Sequence, residues 1–73
     1  MASMDRAEIY NKKFLDLVES LKAENKGKTI SIHYSQLAIA LGISPSNANQ
    51  WLRALCLQNG YRYINGRCVI TED

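Results

Sequence analysis

The segment LAIALGISPSNANQWLRAL, residues 37–55, changes from one helical pattern to another within a few positions. Gly42 is expected to end the first helix, because glycine readily adopts the left-handed conformation found at helix C-termini. Ser44 can then cap a second helix, and Pro45 suits its first position, where a backbone N–H would have no helical partner. The sequence therefore predicts a short helix that ends at Gly42 and a longer helix over residues 45–58.

The residues around this segment set the other two helix boundaries. Ser35 stands where the short helix needs an N-cap, and Asn59-Gly60 follows the longer helix as a stop signal. Small Ala38 allows the two helices to cross closely. The longer helix carries an apolar side formed by Ala48, Trp51 or Leu52, and Leu55. Packing this side into a core would leave the opposite side free to contact a partner.

Residues 61–70 are typical of a β-hairpin. Asn65-Gly66 separates residues 61–64 from residues 67–70, and Asn-Gly is favoured in a two-residue type I′ turn. That turn fixes the register, with Ile64 opposite Arg67, and it sorts the side chains onto two faces. The face expected to join the core holds Tyr61, Tyr63, Cys68 and Ile70. The outward face holds Arg62, Ile64, Arg67 and Val69.

An amphipathic helix is predicted before these elements, over residues 6–24. Asp5 and Glu8 resemble a capping box, and Asn25-Lys26-Gly27 ends the helical pattern. The apolar residues that recur at helical spacing are Tyr10, Phe14, Leu17, Val18 and Leu21. Residues 29–32, Thr-Ile-Ser-Ile, then alternate between polar and apolar, which predicts one short strand.

Charge is distributed unevenly along this chain of 73 residues, whose formal net charge is +2. After residue 28, the basic residues Arg53, Arg62 and Arg67 are matched only by the terminal carboxylates of Glu72 and Asp73. Such a surface suits a polyanion or an acidic protein. The length fits a single domain, residues 1–73 and ordered over about 5–71, with one core and no room for a separate catalytic layer.

The residue types give little support to a metal site or to enzymatic activity. Cys56, Cys68 and the single histidine, His33, cannot complete a tetrahedral zinc set, so neither a metal nor another cofactor is expected. We expect two buried thiols, with a disulfide between them as the alternative. His33 has no recognisable catalytic partner, so no enzymatic activity and no small-molecule substrate are expected.

Neither a membrane nor secretion is indicated by the sequence. No apolar run approaches the length of a membrane span, and the N-terminus lacks the apolar stretch of a secretion signal. The expected location is therefore the cytoplasm, associated with the nucleoid, or the nucleus in a eukaryotic host.

The order helix, strand, helix, helix, hairpin resembles the winged-helix family, and residues 37–55 resemble its helix-turn-helix. The resemblance covers residues 6–71 by pattern and identifies no subfamily. It implies an α+β winged helix-turn-helix with three helices, a short strand and a C-terminal β-hairpin wing. It also implies sequence-specific binding of double-stranded DNA, with helix 45–58 in the major groove and hairpin 61–70 on the flanking backbone or minor groove. A small transcriptional regulator or DNA-organising factor is the expected role.

The expected DNA-contacting residues are those that remain after the core positions are subtracted. Asn and Gln can pair with adenine, Arg with guanine, and Ser with a phosphate or a base edge. On the helix these residues are Ser44, Ser46, Asn47, Asn49, Gln50 and Arg53. On the hairpin they are Arg62, Asn65 and Arg67, as phosphate or minor-groove contacts. Trp51 is expected at the edge of the core instead.

Two questions stay open at the level of sequence. Several winged-helix families hold peptides instead of DNA, and the apolar Ile64 and Val69 on the outward hairpin face favour such a protein-interaction module. The second question is the oligomeric state. A single domain touches few base pairs, so we expect a homodimer, with Ile9 and Leu15 of the first helix at its seam.

Overall fold

The computed structural model describes residues 5–26 and 28–71 of the chain. These residues form a small α+β domain with three helices and a three-stranded antiparallel sheet. In chain order the elements are α1 (Arg6–Glu24), β1 (Ile30–His33), α2 (Tyr34–Leu41), α3 (Pro45–Gln58), β2 (Arg62–Ile64) and β3 (Arg67–Ile70). Within the two described ranges, every helix is too short or too polar to form a membrane span.

Helix α1 has the bounds that the sequence predicts. Oδ1 of Asp5 accepts a hydrogen bond from the backbone N–H of Glu8 at 2.9 Å and so caps the helix. The inner stripe buries Phe14 and Val18, which anchors α1 on the rest of the domain. Gly27, the last residue of the predicted stop signal, lies outside the described residues.

Helix α2 begins at Tyr34, earlier than predicted, and the prediction that Ser35 is its N-cap is wrong. His33 is the N-cap, since its Nδ1 accepts a hydrogen bond from the backbone N–H of Ser35 at 3.2 Å. Oε1 of Gln36 accepts in turn from the backbone N–H of His33 at 2.9 Å. These reciprocal bonds form a capping box around a histidine, whereas the usual preferences are for serine, threonine, aspartate and asparagine. The helix ends at Gly42, as predicted, with a left-handed φ of 69°.

Strand β1 pairs with the C-terminal hairpin, a long-range contact that the sequence leaves open. The strand order is β1-β3-β2, with Ile32 opposite Cys68 and His33 opposite Arg67. The strand is shifted one residue from the predicted 29–32, because its pairing with β3 begins at Ile30. As a result β3 is the central strand, and β1 and β2 are the two edges of the sheet.

The hairpin has the predicted turn and register. Asn65 and Gly66 have φ values of 43° and 78°, and both must be positive in a type I′ turn. Tyr63 lies opposite Cys68, and the neighbouring pairs follow the same register. Tyr61 precedes β2 instead of opening it, because its backbone N–H bonds to a carbonyl in the last turn of α3 at 2.9 Å.

One apolar core lies between the helices and the inner face of the sheet. Its largest fully buried side chains are Phe14, Ile32, Leu37, Leu52, Leu55, Cys56, Cys68 and Ile70. The predicted inner hairpin face is therefore confirmed for Cys68 and Ile70, whereas Tyr61 and Tyr63 are half-buried at its edge. Among the described residues, no buried polar side chain lacks a hydrogen-bond partner.

Cys56 of α3 and Cys68 of β3 form a disulfide. Their Cα atoms are 5.8 Å apart, a separation that a disulfide normally spans. Both residues are buried, as predicted, but the expectation of two separate thiols is wrong. The sequence spacing of twelve residues does not indicate this pairing, because it arises only when the hairpin folds the centre of β3 over the inner side of α3.

Candidate nucleic-acid interface

Helix α3 is anchored along one side and exposed along the other. Oγ of Ser44 accepts a hydrogen bond from the backbone N–H of Asn47 at 3.3 Å, and Pro45 occupies the first turn. The buried side consists of Ala48, Leu52, Leu55 and Cys56. The boundaries and the inner side of α3 therefore match the prediction, and the opposite side lies in solvent.

The exposed side of α3 is polar and contains no carboxylate. The predicted contact residues Ser44, Ser46, Asn47, Gln50 and Arg53 are all exposed. Spacings of three residues place Asn47, Gln50 and Arg53 along one stripe of the helix. We call Ser44, Ser46, Asn47, Gln50 and Arg53 together the α3 stripe. It presents amide donors and acceptors with one guanidinium group, which are the groups that distinguish purine edges in the major groove.

Asn49 differs from its neighbours because it is half-buried against the hairpin. The hydroxyl of Tyr63 donates a hydrogen bond to Oδ1 of Asn49. The amino group of the Asn49 side chain takes no part in this bond, so it can still act as a donor. A bidentate pair with adenine would also require Oδ1 to accept a second hydrogen bond, whereas a single donation to a purine acceptor would not.

The tip of the hairpin is packed against the domain. The backbone N–H of Tyr34, the first residue of α2, donates to the carbonyl of Gly66 at 3.0 Å. Gly66 is buried beneath the Tyr34 ring, and a β-carbon at Gly66 would lie 3.0 Å from Cδ2 of Tyr34 and 3.9 Å from Oδ1 of Asn49. Helices α2 and α3 and the hairpin therefore meet at Tyr34, Asn49, Tyr63 and Gly66, which we call the junction cluster.

Sequence reasoning left three residues of this cluster outside the site, namely Tyr34, Tyr63 and Gly66. The predicted register already placed Tyr63 on the inner face of the hairpin, and α3 lies against that face. A signal for Tyr63 was therefore present in the hairpin register. Tyr34 carries no comparable signal, because its contact with Gly66 depends on how the hairpin tip meets the start of α2.

The two hairpin arginines lie on the sheet face that is turned away from the core. Arg62 and Arg67 are exposed, and their register places them on the same face as Ile64. Asn65 is exposed at the tip of the hairpin. The junction cluster, rather than either arginine, connects the hairpin to α3. The α3 stripe and the hairpin face that carries Arg62 and Arg67, which we call the arginine face, belong to different elements.

Trp51 lies at the edge of the core, as predicted. It is half-buried, and its ring makes an edge-to-face contact with Tyr10 of α1, with the ring centroids 4.8 Å apart. Aromatic pairs favour this geometry. Trp51 therefore joins α3 to α1, and the polar stripe of α3 lies beside this contact.

Within the described residues, the acidic residues are separate in sequence from the α3 stripe and the arginine face. No Asp or Glu occurs between residues 25 and 71. The carboxylates within the described residues all belong to α1 or its cap, and the ion pair of this part of the chain joins Lys12 to Asp16 at 3.6 Å. The guanidinium groups of Arg53, Arg62 and Arg67 are exposed to solvent.

The candidate interface is built from amides, hydroxyls and guanidinium groups on α3 and the adjoining hairpin. Across residues 5–26 and 28–71, no group of three histidine, cysteine or acidic side chains is arranged to hold a metal ion. The chain matches no family model, and the comparisons with curated proteins and with solved structures also give no match.

Proposed function

We propose that this chain is a winged helix-turn-helix protein that binds double-stranded DNA in a sequence-specific manner. Helices α2 and α3 would form the helix-turn-helix, and β2 with β3 would form the wing. The observation that carries the proposal is the exposed α3 stripe, which is polar, free of carboxylates and adjacent to a hairpin with two exposed arginines. A carboxylate on these surfaces would face DNA phosphates, and its absence removes that repulsion. The role would be that of a small transcriptional regulator or a DNA-organising factor.

The α3 stripe would supply the base contacts in the major groove. Asn47 and Gln50 carry amides that match the donor and acceptor pattern of adenine, and Arg53 can pair with guanine O6 and N7. Ser44 and Ser46 stand at the start of the helix, where hydroxyls and backbone N–H groups can bind a phosphate. Asn49 would add a donor from the edge of the stripe.

The hairpin would contribute binding affinity that does not depend on the DNA sequence. Arg62 and Arg67 share the outward face of the sheet and would neutralise backbone phosphates. Asn65 at the tip would contact the minor groove or the flanking backbone. Because the tip is held at Tyr34 and Asn49, the hairpin keeps a fixed position relative to α3 when DNA binds.

An unbiased selection from random-sequence duplex DNA tests this proposal. The full chain should enrich a short motif, and the Arg53→Ala variant should lose its preference at one or more positions of that motif. Lys12→Ala, which removes a cation from α1, should enrich the same motif as the unchanged chain. If no motif is enriched at moderate salt, the proposal of sequence-specific DNA binding is wrong.

The proposed DNA-binding form is a homodimer, because one small domain touches few base pairs. Ile9 is 38% exposed on α1, and Leu15 is half-buried beside the inner stripe, so these residues are candidates for the seam. The selected motif should then contain two half-sites about one helical turn apart. Light scattering should give the mass of a dimer, and Ile9→Lys should give a monomer while Ile39→Lys on α2 should not. A strict monomer that selects a single half-site would remove the dimer and leave DNA binding in place.

The second candidate function is a winged-helix protein-interaction module. It is favoured by exposed apolar side chains near the hairpin, since Leu57 is 55% exposed and Ile64 is 43% exposed. Apolar side chains in these positions contribute nothing to phosphate binding. The same random-DNA selection separates the candidates, because a module that binds only proteins would enrich no DNA motif.

A further inference from the structure

Strand β2 has an unpaired backbone edge. The strand order β1-β3-β2 leaves β2 bonded to β3 on one side only. In a two-residue hairpin the pair beside the turn exchanges hydrogen bonds, here Ile64 with Arg67, and the pattern then alternates along the ladder. The backbone N–H and C=O of Tyr63 therefore point to the free edge. An added strand would find one donor and one acceptor there.

A groove of about 520 Å³ lies along this edge, where α3 ends and β2 begins. Its lining residues are Leu57, Gly60, Tyr61, Arg62, Tyr63, Val69 and Thr71. Leu57 is 55% exposed, although it is a large apolar residue on a helix whose exposed side is otherwise mainly polar. Val69 and the two tyrosines are half-buried. The groove therefore places the apolar side chains of Leu57 and Val69 next to free backbone groups.

The groove lining carries a positive charge. Arg62 lines it and is exposed, and Arg53 is exposed one helical turn before Leu57 on α3. No carboxylate occurs in the sequence between residues 25 and 71, so the lining residues include none. A segment with carboxylates would meet the guanidinium group of Arg62 in the lining, and a basic segment would be repelled by it.

We propose that the groove along β2 binds a short, extended, acidic peptide segment of a partner protein. The segment adds to the sheet as a fourth strand and pairs with the backbone of Tyr63. An apolar side chain of the segment packs against Leu57 and Val69, and a carboxylate pairs with Arg62. This surface does not depend on DNA binding, because apart from Arg62 it uses none of the proposed DNA contacts.

A nucleic-acid strand fits these observations less well. Leu57 and Val69 offer a DNA or RNA backbone no hydrogen bond and no charge, whereas an apolar side chain gains from burial against them. The two tyrosines are half-buried, so their rings are only partly available for stacking on bases. The experiment must therefore distinguish peptide binding at the groove from binding of single-stranded nucleic acid.

The test begins with display of random peptides against the full chain. The enriched sequences should alternate apolar residues with carboxylates, and a labelled synthetic peptide of the enriched sequence then serves as the probe in fluorescence anisotropy. Leu57→Ser should weaken this peptide about tenfold, because it removes the apolar contact. Ile39→Ser is the matched control, since Ile39 is 84% exposed on α2, away from the groove lining, and its replacement should leave the affinity unchanged.

Three further measurements fix the position and the nature of the ligand. In NMR titration the amide signal of Tyr63 should shift on peptide binding. Arg62→Glu should abolish binding of the acidic peptide. The same variant should instead bind a second peptide, in which lysine replaces the acidic residue that pairs with Arg62. Oligothymidylate, whose phosphates can reach Arg62, should not shift the amide signal of Tyr63. The proposal is overturned if no acidic motif is enriched, if Leu57→Ser and Ile39→Ser behave alike, or if oligothymidylate shifts the Tyr63 amide signal as the peptide does.

Failure of this proposal and failure of DNA binding are distinguishable. Leu57→Ser adds no charge and lies outside the α3 stripe, so the random-DNA selection should return the same motif for this variant. A chain that enriches DNA but no acidic peptide would retain the proposed function without the docking groove. The opposite result would retain the groove and assign the chain to the interaction modules.

Discussion

Asn49 contacts the hairpin and also lies at the edge of the α3 stripe. Its amide oxygen accepts a hydrogen bond from Tyr63, and its neighbours Gln50 and Arg53 are exposed. A half-buried amide held by a tyrosine has fewer accessible rotamers than an exposed one, so less conformational entropy is lost when it contacts a base. Among the proposed contacts, Asn49 is therefore the residue whose orientation is most constrained before binding.

Replacing either Asn49 or Arg53 with alanine is expected to cost about 1 to 3 kcal/mol on the selected duplex, because hydrogen bonds to base edges are lost. Binding to a scrambled duplex should change less, so the specificity ratio should fall. Fluorescence anisotropy with both duplexes measures these affinities. Gln58→Ala is the control, since Gln58 is exposed on the last turn of α3 outside the proposed contacts. Equal losses on both duplexes would assign these residues to general phosphate binding.

Tyr63→Phe should reduce specific binding by about 1 kcal/mol, because it removes the hydroxyl that orients Asn49 and keeps the ring. Tyr61→Phe is the matched control and should have little effect, since the Tyr61 ring packs near Phe14. A double-mutant cycle with Asn49→Ala provides the sharper measurement. If the hydroxyl acts through Asn49, the double variant should bind no more weakly than Asn49→Ala alone. Additive losses would show that Tyr63 acts independently.

At the scale of elements, local signals in the sequence predicted most of the fold. Ser44-Pro45 and Asn59-Gly60 fix both ends of α3, and Asn65-Gly66 fixes the register of the hairpin, because caps and tight turns are short-range features. The pairing of β1 with β3 was not predictable, since it joins segments far apart in sequence. The N-cap at His33 was missed because histidine is not among the residues usually preferred at that position.

The candidate site was predictable to a similar extent. Amphipathic spacing correctly left the α3 stripe in solvent. The half-burial of Asn49 and the docking of the hairpin tip on Tyr34 were not predictable, because both depend on the angle at which the hairpin meets α2 and α3. Spacing within one element determines which side of it is exposed. The junction cluster depends instead on contacts between elements.

Gly66→Ala tests the docking of the hairpin tip. Gly66 has a φ of 78°, which strains any residue with a β-carbon, and the added carbon would lie 3.0 Å from Cδ2 of Tyr34. Gly60→Ala isolates the backbone strain, because Gly60 has a φ of 79° with open space around it. Urea denaturation should show a loss of about 1 to 2 kcal/mol for Gly60→Ala and a larger loss for Gly66→Ala. Equal losses would mean that the Tyr34 ring moves aside freely.

The arginine face of the hairpin should act as a phosphate contact. Replacing both Arg62 and Arg67 with alanine should leave the thermal unfolding midpoint nearly unchanged, since both side chains are exposed on the outward sheet face. Affinity should fall to a similar extent on selected and scrambled duplexes. The slope of log affinity against log salt should shrink by about 0.9 per lost contact, or roughly two units in total. Lys12→Ala with Lys13→Ala on α1 provides a control of equal charge. An unchanged salt slope in the arginine variant would exclude the phosphate role.

At the scale of the whole molecule, the main organising feature is the separation of charge between α1 and the rest of the chain. The carboxylates of the described residues all lie in residues 5–24, and residues 25–71 carry only positive charge. Both proposed partners, DNA and an acidic peptide, require this arrangement. The two surfaces share Arg62, so saturating DNA should weaken binding of the peptide, and peptide should weaken DNA binding to the same degree.

The disulfide between Cys56 and Cys68 gives this small domain a covalent link between α3 and the hairpin. A domain of this length has a small core, and a cross-link adds stability by restricting the unfolded chain. For a loop of this size the chain-entropy model gives about 3 kcal/mol. We therefore expect Cys56→Ala and Cys68→Ala each to lower the free energy of unfolding by roughly that amount.

The double variant decides between a disulfide and two packed thiols. The first substitution already breaks the bond, so the double variant should be only slightly less stable than either single variant. A reducing agent should destabilise the unchanged chain and leave the variants unaffected, and both cysteines should resist alkylation when the unreduced protein is denatured. Two unpaired thiols would instead give smaller single effects that add, with no response to the reducing agent. Because the bond also fixes the hairpin against α3, its loss should lower specific DNA binding more than binding to a scrambled duplex.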